Sequence, residues 1–376
     1  MALRALATVD LGAVRRNAAR LARELRGAQL CAVVKADGYG HGAVPAARAA
    51  LAGGASWLAV ATAGEAAELR AAGLGGRILL MGALGPEELA VALEARADLV
   101  VWSEEFLHAV RGFRRGPEPV PLHVKLDTGM GRLGTRSAAD ALELARRIVH
   151  ERDGVVLAGA MTHFATADGD AEFMAAQLAA FGPFAAGVRE IAPEAILHAA
   201  NSAATLRDAA AHFDLVRCGV ALYGLDPFGE DPAERSLEPV LALRSYLAAV
   251  KPAQPGESAG YGRRFVADAP TWIGTAPIGY ADGVRRALYP GGFVLVGGRR
   301  YPLAGTVSMD NITFDLGPDP PPEARVGVPV TVIGADGEDR ILAEEVAVWA
   351  GTINYEIACG ISARVPRAYE DAPADR

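Results

Sequence analysis

Lys35 lies at the end of a predicted buried strand, a position that can make the amine of a lysine reactive. It follows the apolar run Leu30–Val34, which is typical of a fully buried parallel strand. Burial disfavours the charged form of a lysine, and a neutral amine is the nucleophile that Schiff-base chemistry needs. Three glycines and Tyr39 follow within residues 38–42, so the backbone of this loop can approach a ligand closely. A surface lysine beside a glycine turn is the alternative that one segment leaves open.

Polar and basic residues also follow several later apolar runs. In a barrel of parallel strands such residues gather at one mouth, where barrel enzymes do their chemistry. A glycine-containing loop with a nearby serine can bind phosphate there through backbone N–H groups. The residues concerned are Lys125, Asp127, Arg132, Thr162, His163, His198, Asn201, Ser202, Arg217, Gly219 and Val220.

Simpler roles are open for some of these residues. Lys125 and Asp127 can form an ordinary ion pair, and Ser202 can cap the helix that follows it. A single histidine such as His163 is more often structural than catalytic, so we interpret it as a residue behind the site. Arg132 lies among glycines in GMGRLG, which is typical of an arginine held against an anion.

The elements that must position these residues alternate between strand and helix. Eight βα units in series predict an α/β fold, a (β/α)8 TIM-type barrel over residues 10–230. A doubly wound sheet is the alternative, but it usually has fewer strands and a glycine fingerprint after the first strand. The predicted strands are Leu30–Val34, Trp57–Ala61, Ile78–Met81, Leu99–Trp102, Leu122–Leu126, Val156–Met161, Ile196–Ala199 and Leu215–Cys218, and the predicted helices include Gly64–Ala72, Pro86–Arg96, Ala138–His150 and Ala171–Ile191.

The pattern changes after Leu225. Asp226–Arg235 is polar, contains Pro and Gly, and is typical of a linker. Short apolar runs separated by Gly and Pro turns follow, and Ala343–Ala350 alone has a helical pattern. We expect residues 1–9 plus 231–376 to form a smaller, mostly-β C-terminal domain. Its predicted strands are Leu241–Val250, Trp272–Ala276, Phe293–Val296, Ile312–Asp315 and Val328–Ile333.

The composition excludes several classes of protein. The chain has 376 residues, of which 51% are hydrophobic, so it can bury a large core. A net charge of −8 without a basic tract argues against a nucleic-acid partner. The sequence has no apolar run of transmembrane length and no signal peptide, which predicts no membrane association. Cys31, Cys218 and Cys359 are sparse and lack metal-site spacing, which predicts no metal and a reducing, cytoplasmic location.

Nearly the whole chain resembles the alanine racemases, a family of pyridoxal-phosphate enzymes built on a barrel. Cys218 stands where a proline is frequent in the family, and Ser308 where many members have cysteine. Neither position carries a functional group in this interpretation. The motifs that carry the resemblance occur in the same order and are VVKADGYGHG, LDTGMGRLG, THFA, HAANSAA, VRCGVALYG, AGYGRRF, GYADG, SMD and TINYE.

The resemblance implies that the cofactor is pyridoxal 5'-phosphate and that Lys35 holds it as an internal aldimine. Arg217 would face the pyridine nitrogen, with His163 supporting it. Arg132 would lie near the phenolic oxygen of the cofactor and Tyr261. The residues implied around the phosphate are Tyr39, Asn201, Ser202, Gly219, Val220 and Tyr355.

The resemblance also implies a two-base reaction. A Schiff base with the cofactor makes the α-proton of an amino acid acidic, and acid/base groups on opposite faces then move it. Lys35 would serve the D-enantiomer and Tyr261 the L-enantiomer. Tyr261 needs a positive neighbour to act as a base near neutrality, and Arg132 is the candidate. A guanidinium does not give up its proton, so Arg217 would keep the ring nitrogen unprotonated and suppress side reactions.

The remaining implied roles concern the substrate. Met309 would present its backbone N–H to the substrate carboxylate, and Asp310 and Tyr280 would line the entrance. Lys125 matches a lysine that is carbamylated in some members, where it steadies Arg132.

The predicted function is interconversion of L-alanine and D-alanine, which supplies D-alanine for peptidoglycan. A serine or broad-specificity racemase stays open, because one sequence does not give the size of a pocket. A barrel-type decarboxylase and a non-catalytic pyridoxal-phosphate protein are disfavoured by Arg217, the Tyr261 motif and the second domain. We expect a homodimer with shared active sites, since a two-fold partner can supply the C-terminal domain across a short linker.

Overall fold

The computed structural model describes residues 3–114, 117–151, 153–320, 322 and 324–371. This part of the chain divides into two compact units. One unit is Val14–Leu222, and the other combines the described residues up to Ala13 with those from Tyr223 onward. None of the described helices is both long and apolar enough to cross a membrane.

The Val14–Leu222 unit is organised around an 8-stranded parallel sheet in the order β8-β7-β6-β5-β4-β3-β2-β9. Its two end strands also meet, because the Asp214 N–H donates to the Leu197 carbonyl at 3.0 Å and the Arg217 N–H to the Ala200 carbonyl at 2.9 Å. The sheet is thus a nearly closed barrel, which confirms the predicted α/β barrel. Its strands are β2 (Gln29–Val33), β3 (Trp57–Val60), β4 (Arg77–Leu80), β5 (Asp98–Val101), β6 (Val120–Lys125), β7 (Val155–Met161), β8 (Ile196–His198) and β9 (Leu215–Cys218).

Helices follow most of these strands, and several begin at a side-chain cap. Thr62 accepts the Glu65 N–H at 3.2 Å while the Glu65 carboxylate accepts the Thr62 N–H at 3.1 Å, which makes a capping box. Asp170 caps the longest helix by accepting the Phe173 N–H at 3.0 Å. The helices are α1 (Leu11–Glu24), α2 (Lys35–Tyr39, a left-handed turn), α3 (Ala43–Ala52), α4 (Ala63–Ala71), α5 (Pro86–Glu94), α6 (Glu104–Phe113), α7 (Ala138–Glu151), α8 (Ala171–Ile191) and α9 (Ser202–Arg207).

The second unit is mostly β, as predicted. Its main sheet has the order β16-β15-β18-β10-β1-β20, with β19 paired to β18, and β11-β14-β17 and β12-β13 form smaller sheets. Its elements are β1 (Leu6–Asp10), β10 (Leu241–Tyr246), β11 (Ala249–Ala253), β12 (Ser258–Ala259), β13 (Phe265–Val266), β14 (Thr271–Ala276), β15 (Phe293–Val296), β16 (Arg299–Pro302), β17 (Ile312–Gly317), β18 (Pro329–Asp336), β19 (Asp339–Ile341), α10 (Ala343–Ala350), α11 (Asn354–Cys359) and β20 (Arg367–Glu370).

The structure differs from the sequence prediction in several details of this unit. The short strands β1, β12, β13, β16, β19 and β20 were not predicted. The run predicted as one strand, Leu241–Val250, is two strands, because Leu247 bonds to Val328 in one sheet and Ala248 to Thr275 in another. A second helix, α11, follows α10, and its six residues are too few to show a helical period.

The segment Asp226–Arg235, predicted as a linker, is folded. Asp226 is fully buried, its N–H donates to Glu344 Oε1 at 2.9 Å, and its carboxylate accepts a bond from Arg235 at 3.1 Å. The residues Pro232–Arg235 form a turn of 3-10 helix. Charged residues usually indicate exposure, but here their charges are paired within the fold.

Candidate active site

The residues after Lys35 adopt an unusual backbone conformation. Lys35 directly follows β2 and Val34, and residues 36–39 all have positive φ angles, of 52°, 51°, 61° and 54°. This left-handed conformation costs ~1–2 kcal/mol for each residue other than glycine. Hydrogen bonds hold it in place, because Asp37 accepts the Gly42 N–H at its carbonyl (2.8 Å) and the Ala43 N–H at its side chain (2.8 Å). A strained segment held this firmly beside a lysine marks a candidate functional site.

Glu65 on α4 holds the backbone next to Lys35. Its carboxylate accepts N–H groups from Ala36 at 2.6 Å, from Ala61 at 2.8 Å and from Thr62 at 3.1 Å. One side chain therefore joins the ends of β2 and β3 to the start of α4. The pattern Thr62-x-x-Glu65 signals a capping box in the sequence, but it does not reveal the bond to Ala36.

We expect Glu65→Gln to lower the free energy of unfolding by ~1–2 kcal/mol, the scale of a lost cap. A glutamine keeps one acceptor oxygen but adds two donors and removes the charge that strengthens these bonds. Urea unfolding monitored by circular dichroism measures the change. Glu68→Gln, on the exposed face of the same helix, is the matched control and should leave stability unchanged. Equal stability of both variants would contradict the role of Glu65.

Tyr39, Ser202 and Gly219 form a small cradle at the mouth of the barrel. The Ser202 hydroxyl accepts the Gly219 N–H at 3.0 Å. A Cβ at position 219 would lie 2.3 Å from the Tyr39 hydroxyl oxygen, so only glycine fits beside that ring. Val220 follows and is buried. Asn201, and not Ser202, caps the following helix, by accepting the Ala204 N–H at 3.0 Å, which leaves the Ser202 hydroxyl turned to the cradle.

Arg217 at the end of β9 is buried and held by several acceptors. Its Nη1 lies 2.8 Å from His198 Nδ1, and its Nη2 lies 3.2 Å from His163 Nδ1. Nη2 also donates to the carbonyls of Thr162 (2.9 Å) and Ala199 (3.0 Å). Among the described residues, Arg217 Nε is buried without a hydrogen-bond partner. One donor of a fixed guanidinium is therefore available to a ligand.

Electrostatics keep the Arg217 cluster in a defined protonation state. Burial lowers the pKa of Arg217 to about 10, so its guanidinium is still charged at neutral pH. Burial and the charge of Arg217 hold the pKa values of His163 and His198 well below the usual range. Both imidazoles are therefore neutral and accept hydrogen bonds from Arg217.

Lys125 is the other lysine of this unit, and it is buried whereas Lys35 is half-buried. It is 4% exposed, and burial together with the charges of Arg217 and Arg132 lowers its pKa to about 8. The carboxylate of Asp127 pairs with Arg136 at 3.4 Å and accepts the N–H groups of Gly129 and Gly131, so it shapes the loop that carries Arg132. Lys125 is thus a partly neutral amine near two guanidinium groups.

The C-terminal unit brings together a second set of the predicted residues. Tyr261 lies in the loop between β12 and β13, and its carbonyl accepts a bond from Thr306 Oγ1 at 3.2 Å. The Tyr280 N–H donates to the Ser308 carbonyl at 2.9 Å, which places Tyr280 beside Met309.

Most of these residues are exposed. Tyr261 is 72% exposed and Met309 is 51% exposed. Asp310 pairs with Arg364 at 2.7 Å, and Tyr355 is half-buried on α11. The predicted site residues therefore form two groups, one in each unit.

Comparison with known proteins places the chain in a family. The family model "Alanine racemase, N-terminal domain" matches residues 9–227, and "Alanine racemase, C-terminal domain" matches residues 240–369. The chain belongs to the alanine racemase family. An alanine racemase of Geobacillus kaustophilus is 42% identical over 368 residues, which cover 96% of this chain and 93% of the relative. One of Streptomyces coelicolor is 42% identical over 381 residues, covering 98% and 96%.

Solved alanine racemases have the same fold. The enzyme of a D-cycloserine-producing Streptomyces lavendulae has a TM-score of 0.93 at 39% identity, with 99% of this chain and 98% of that one covered. The Bacillus anthracis enzyme, solved with bound L-Ala-P, has a TM-score of 0.88 at 36% identity, covering 98% and 96%. Alanine racemases are pyridoxal-phosphate enzymes.

Sequence reasoning missed several residues behind the alanine racemase site. His198 was noted only as a strand-end residue, yet it contacts Arg217 directly. His123 and Asp98 continue this contact inside the barrel. A histidine within the apolar strand β6 is the signal in the sequence, because a buried imidazole needs a partner.

Proposed function

We propose that this chain is an alanine racemase that uses pyridoxal 5'-phosphate to interconvert L-alanine and D-alanine. The observation that carries the proposal is the buried guanidinium of Arg217, which has one unpartnered donor, Nε, among the described residues. Such a donor suits an acceptor that takes a hydrogen bond and stays unprotonated. The pyridine nitrogen of the cofactor is an acceptor of this kind. The cradle of Tyr39, Ser202 and Gly219 in the same unit suits the phosphate.

Different residues would bind different parts of the cofactor. Lys35 would hold it covalently, with its backbone fixed by the left-handed turn, and Arg217 would donate to the ring nitrogen. The residues proposed around the phosphate are Tyr39, Asn201, Ser202, Gly219, Val220 and Tyr355, with His163 behind Arg217 and Arg132 near the phenolic oxygen.

Two side chains would move the proton. When bound, pyridoxal phosphate withdraws electrons from the α-carbon of an attached amino acid and makes its proton acidic. Lys35 would take or give that proton on one face and Tyr261 on the other, Lys35 serving D-alanine and Tyr261 serving L-alanine. Arg217 keeps its own proton throughout, because a guanidinium is a donor that is not deprotonated near neutral pH.

Four residues are proposed to hold the substrate or to line its entrance. Arg132 supplies a positive charge, the Met309 N–H would bind the substrate carboxylate, and Tyr280 and Asp310 would line the entrance. A serine or broad-specificity racemase would use the same machinery with a larger pocket.

Purification followed by a visible spectrum and enantiomer assays tests this function. We expect an absorption band from bound cofactor and interconversion of the two alanines. A panel of other amino acids, with serine first, separates an alanine enzyme from a broader one. A protein that binds the cofactor and releases carbon dioxide from amino acids would be a decarboxylase, and the proposal would fail. The cytoplasmic location stays a prediction.

We expect Arg217→Glu to lose ~10²–10³-fold of the activity, the scale seen when one preorganised donor is removed. A carboxyl group at position 217 can share a proton with the ring nitrogen, whereas the guanidinium cannot. Electron withdrawal by the ring should therefore increase, and a new long-wavelength absorption band should appear with alanine. Arg217→Lys, which keeps a cation, is the control and should lack that band. A glutamate variant with the spectrum and rate of the wild type would refute this role.

We expect Lys125 to react with carbon dioxide, and increasingly so as the pH rises towards and above 8. The neutral amine attacks the carbon, an N–C bond forms, one C=O electron pair moves to oxygen, and a proton leaves to water. With a pKa of about 8, roughly half of Lys125 is neutral at pH 8, far more than of an ordinary lysine. The resulting carboxylate would balance the charges of Arg132 and Arg217.

Carbon-13 NMR with labelled bicarbonate measures this modification of Lys125. The signal should disappear in Lys125→Ala and persist in Lys251→Ala, which changes an exposed lysine on β11. A signal unaffected by Lys125→Ala would show that the modified amine is elsewhere.

We further propose a homodimer in which each barrel works with the Tyr261 of a partner. Proton transfer is most effective in a site from which water is excluded. The exposures of 72% for Tyr261 and 51% for Met309 in one chain leave these groups open to such a partner. A two-fold arrangement would bury the same surface on both chains and complete two sites at once.

A further inference from the structure

A row of buried polar side chains runs through the barrel behind Arg217. Asp98 on β5, His123 on β6 and His198 on β8 are each at most 2% exposed. Neither the sequence prediction nor the proposed reaction gives Asp98 or His123 a role. Buried polar groups are costly unless they are fully hydrogen-bonded, so their arrangement is informative.

The row is a continuous chain of hydrogen bonds. Arg217 Nη1 lies 2.8 Å from His198 Nδ1, and His198 Nε2 lies 2.8 Å from His123 Nδ1. His123 Nε2 then lies 3.1 Å from Asp98 Oδ2. Arg77 forms an ion pair with the same Asp98 oxygen at the far end.

The chemistry of Arg217 and Asp98 allows these hydrogen bonds only one donor-to-acceptor direction. A guanidinium has donors and no acceptor, so His198 Nδ1 must accept and its proton must be on Nε2. That proton is donated to His123 Nδ1, which places the proton of His123 on Nε2. The last donor meets a carboxylate, which accepts and does not donate. Burial lowers the pKa of His123 and His198, so each ring carries a single proton.

We propose that Asp98, His123 and His198 form a positioning relay that sets the imidazole tautomers and thereby fixes the Arg217 guanidinium for the cofactor. The inference rests on the proposed function, in which Arg217 serves the ring nitrogen. Arg217 Nη1 has its bond to His198 as its one hydrogen bond among the described residues. A reversed tautomer would point an N–H at that donor and push the guanidinium out of place. Asp98, separated from Arg217 by two side chains, therefore holds the direction from the far end of these hydrogen bonds.

Replacement of Asp98 by Asn changes the shape of the side chain little, but it no longer fixes the donor-to-acceptor direction of these hydrogen bonds. An asparagine can donate to His123 Nε2 as well as accept from it. The reversed chain, with both imidazole protons on Nδ1, then becomes accessible. We expect kcat to fall by roughly 10–100-fold, the scale known for hydrogen-bond partners of metal-binding histidines, with KM nearly unchanged. The visible spectrum of the loaded enzyme should change as well, because Arg217 is displaced.

Nitrogen-15 NMR of histidine-labelled holoenzyme reads the tautomers directly. In the wild type we expect protons on Nε2 of both His123 and His198, with signals assigned from the His123→Gln and His198→Gln variants. In Asp98→Asn the Nδ1-protonated forms should appear. Asp214→Asn is the control, since Asp214 directly precedes β9 and bonds to the Leu197 N–H and to Arg189, not to a histidine.

The outcomes separate the relay from the proposed function. A proton on Nδ1 of either histidine in the wild type overturns the relay, and this measurement needs no variant to fold. Unchanged tautomers and an unchanged spectrum in Asp98→Asn overturn it too. A wild type that binds no pyridoxal phosphate and racemises no amino acid refutes the function, and its histidine tautomers can still be read.

Discussion

Lys35→Ala should lose the visible band of bound pyridoxal phosphate and at least ~10³-fold of the racemase activity, since it removes both a covalent anchor and an acid/base group. The barrel itself should keep its stability, because Lys35 follows β2 and the left-handed turn is held by backbone bonds and by Glu65. Unfolding by urea separates loss of function from loss of fold. Any visible band that persists in Lys35→Ala must come from another lysine.

The small number of lysines makes this test sharp. Lys35, Lys125 and Lys251 are the lysines of the chain. Borohydride reduction of the loaded enzyme, followed by peptide mass mapping, should place the reduced adduct on Lys35 alone. Lys251→Ala is the matched control and should keep band and activity. An adduct on Lys125 or Lys251 in the wild type would contradict the assignment.

Tyr261→Phe should lose ~10²–10⁴-fold of the racemisation while leaving the other proton-transfer group in place. With Lys35 intact, D-alanine should still exchange its α-proton with solvent deuterium, and L-alanine should exchange far more slowly. Proton NMR of each enantiomer in deuterium oxide measures the two exchange rates. Equal losses for both enantiomers would contradict the division of labour between Lys35 and Tyr261.

Mixing subunits then tests whether the two residues come from different chains. Lys35→Ala and Tyr261→Phe chains, each nearly inactive, are unfolded together and refolded. Sites built from two chains give mixed dimers with one site that carries both changes and one that carries neither, so activity should return to about half of the wild type per mixed dimer. Mixed dimers isolated by two affinity tags but lacking activity would rule out shared sites.

Much of the candidate site in the barrel could be predicted from sequence because its residues lie at the C-terminal ends of strands. Lys35 and Arg217 stand at the ends of apolar runs, and parallel strands bring such ends to one mouth. Ser202 and Gly219 follow by the same argument, and their 3.0 Å bond confirms that they are neighbours. Local pattern and barrel topology together are enough for these residues.

Contacts that depend on three-dimensional register could not be predicted in this way. The bond from Ala36 to Glu65 joins loops of different strands, and the relay from Asp98 to Arg217 uses four strands of the barrel. The spacing of residues in the sequence does not show which side chains inside the barrel lie at the same height along its axis and so contact one another. The positive φ angles of Ala36 and Asp37 were missed for another reason, since these residue types rarely adopt them and the glycines alone predicted only a loop.

The left-handed turn after Lys35 bears on how the protein would acquire the proposed cofactor. Hydrogen bonds to Asp37 and Glu65 offset the unfavourable backbone energy of this turn. They form during folding, before any ligand binds. The chain therefore loses little conformational entropy on loading, and more of the interaction energy becomes affinity. Binding of the proposed cofactor would then be docking onto a preformed surface, without further folding of the segment after Lys35.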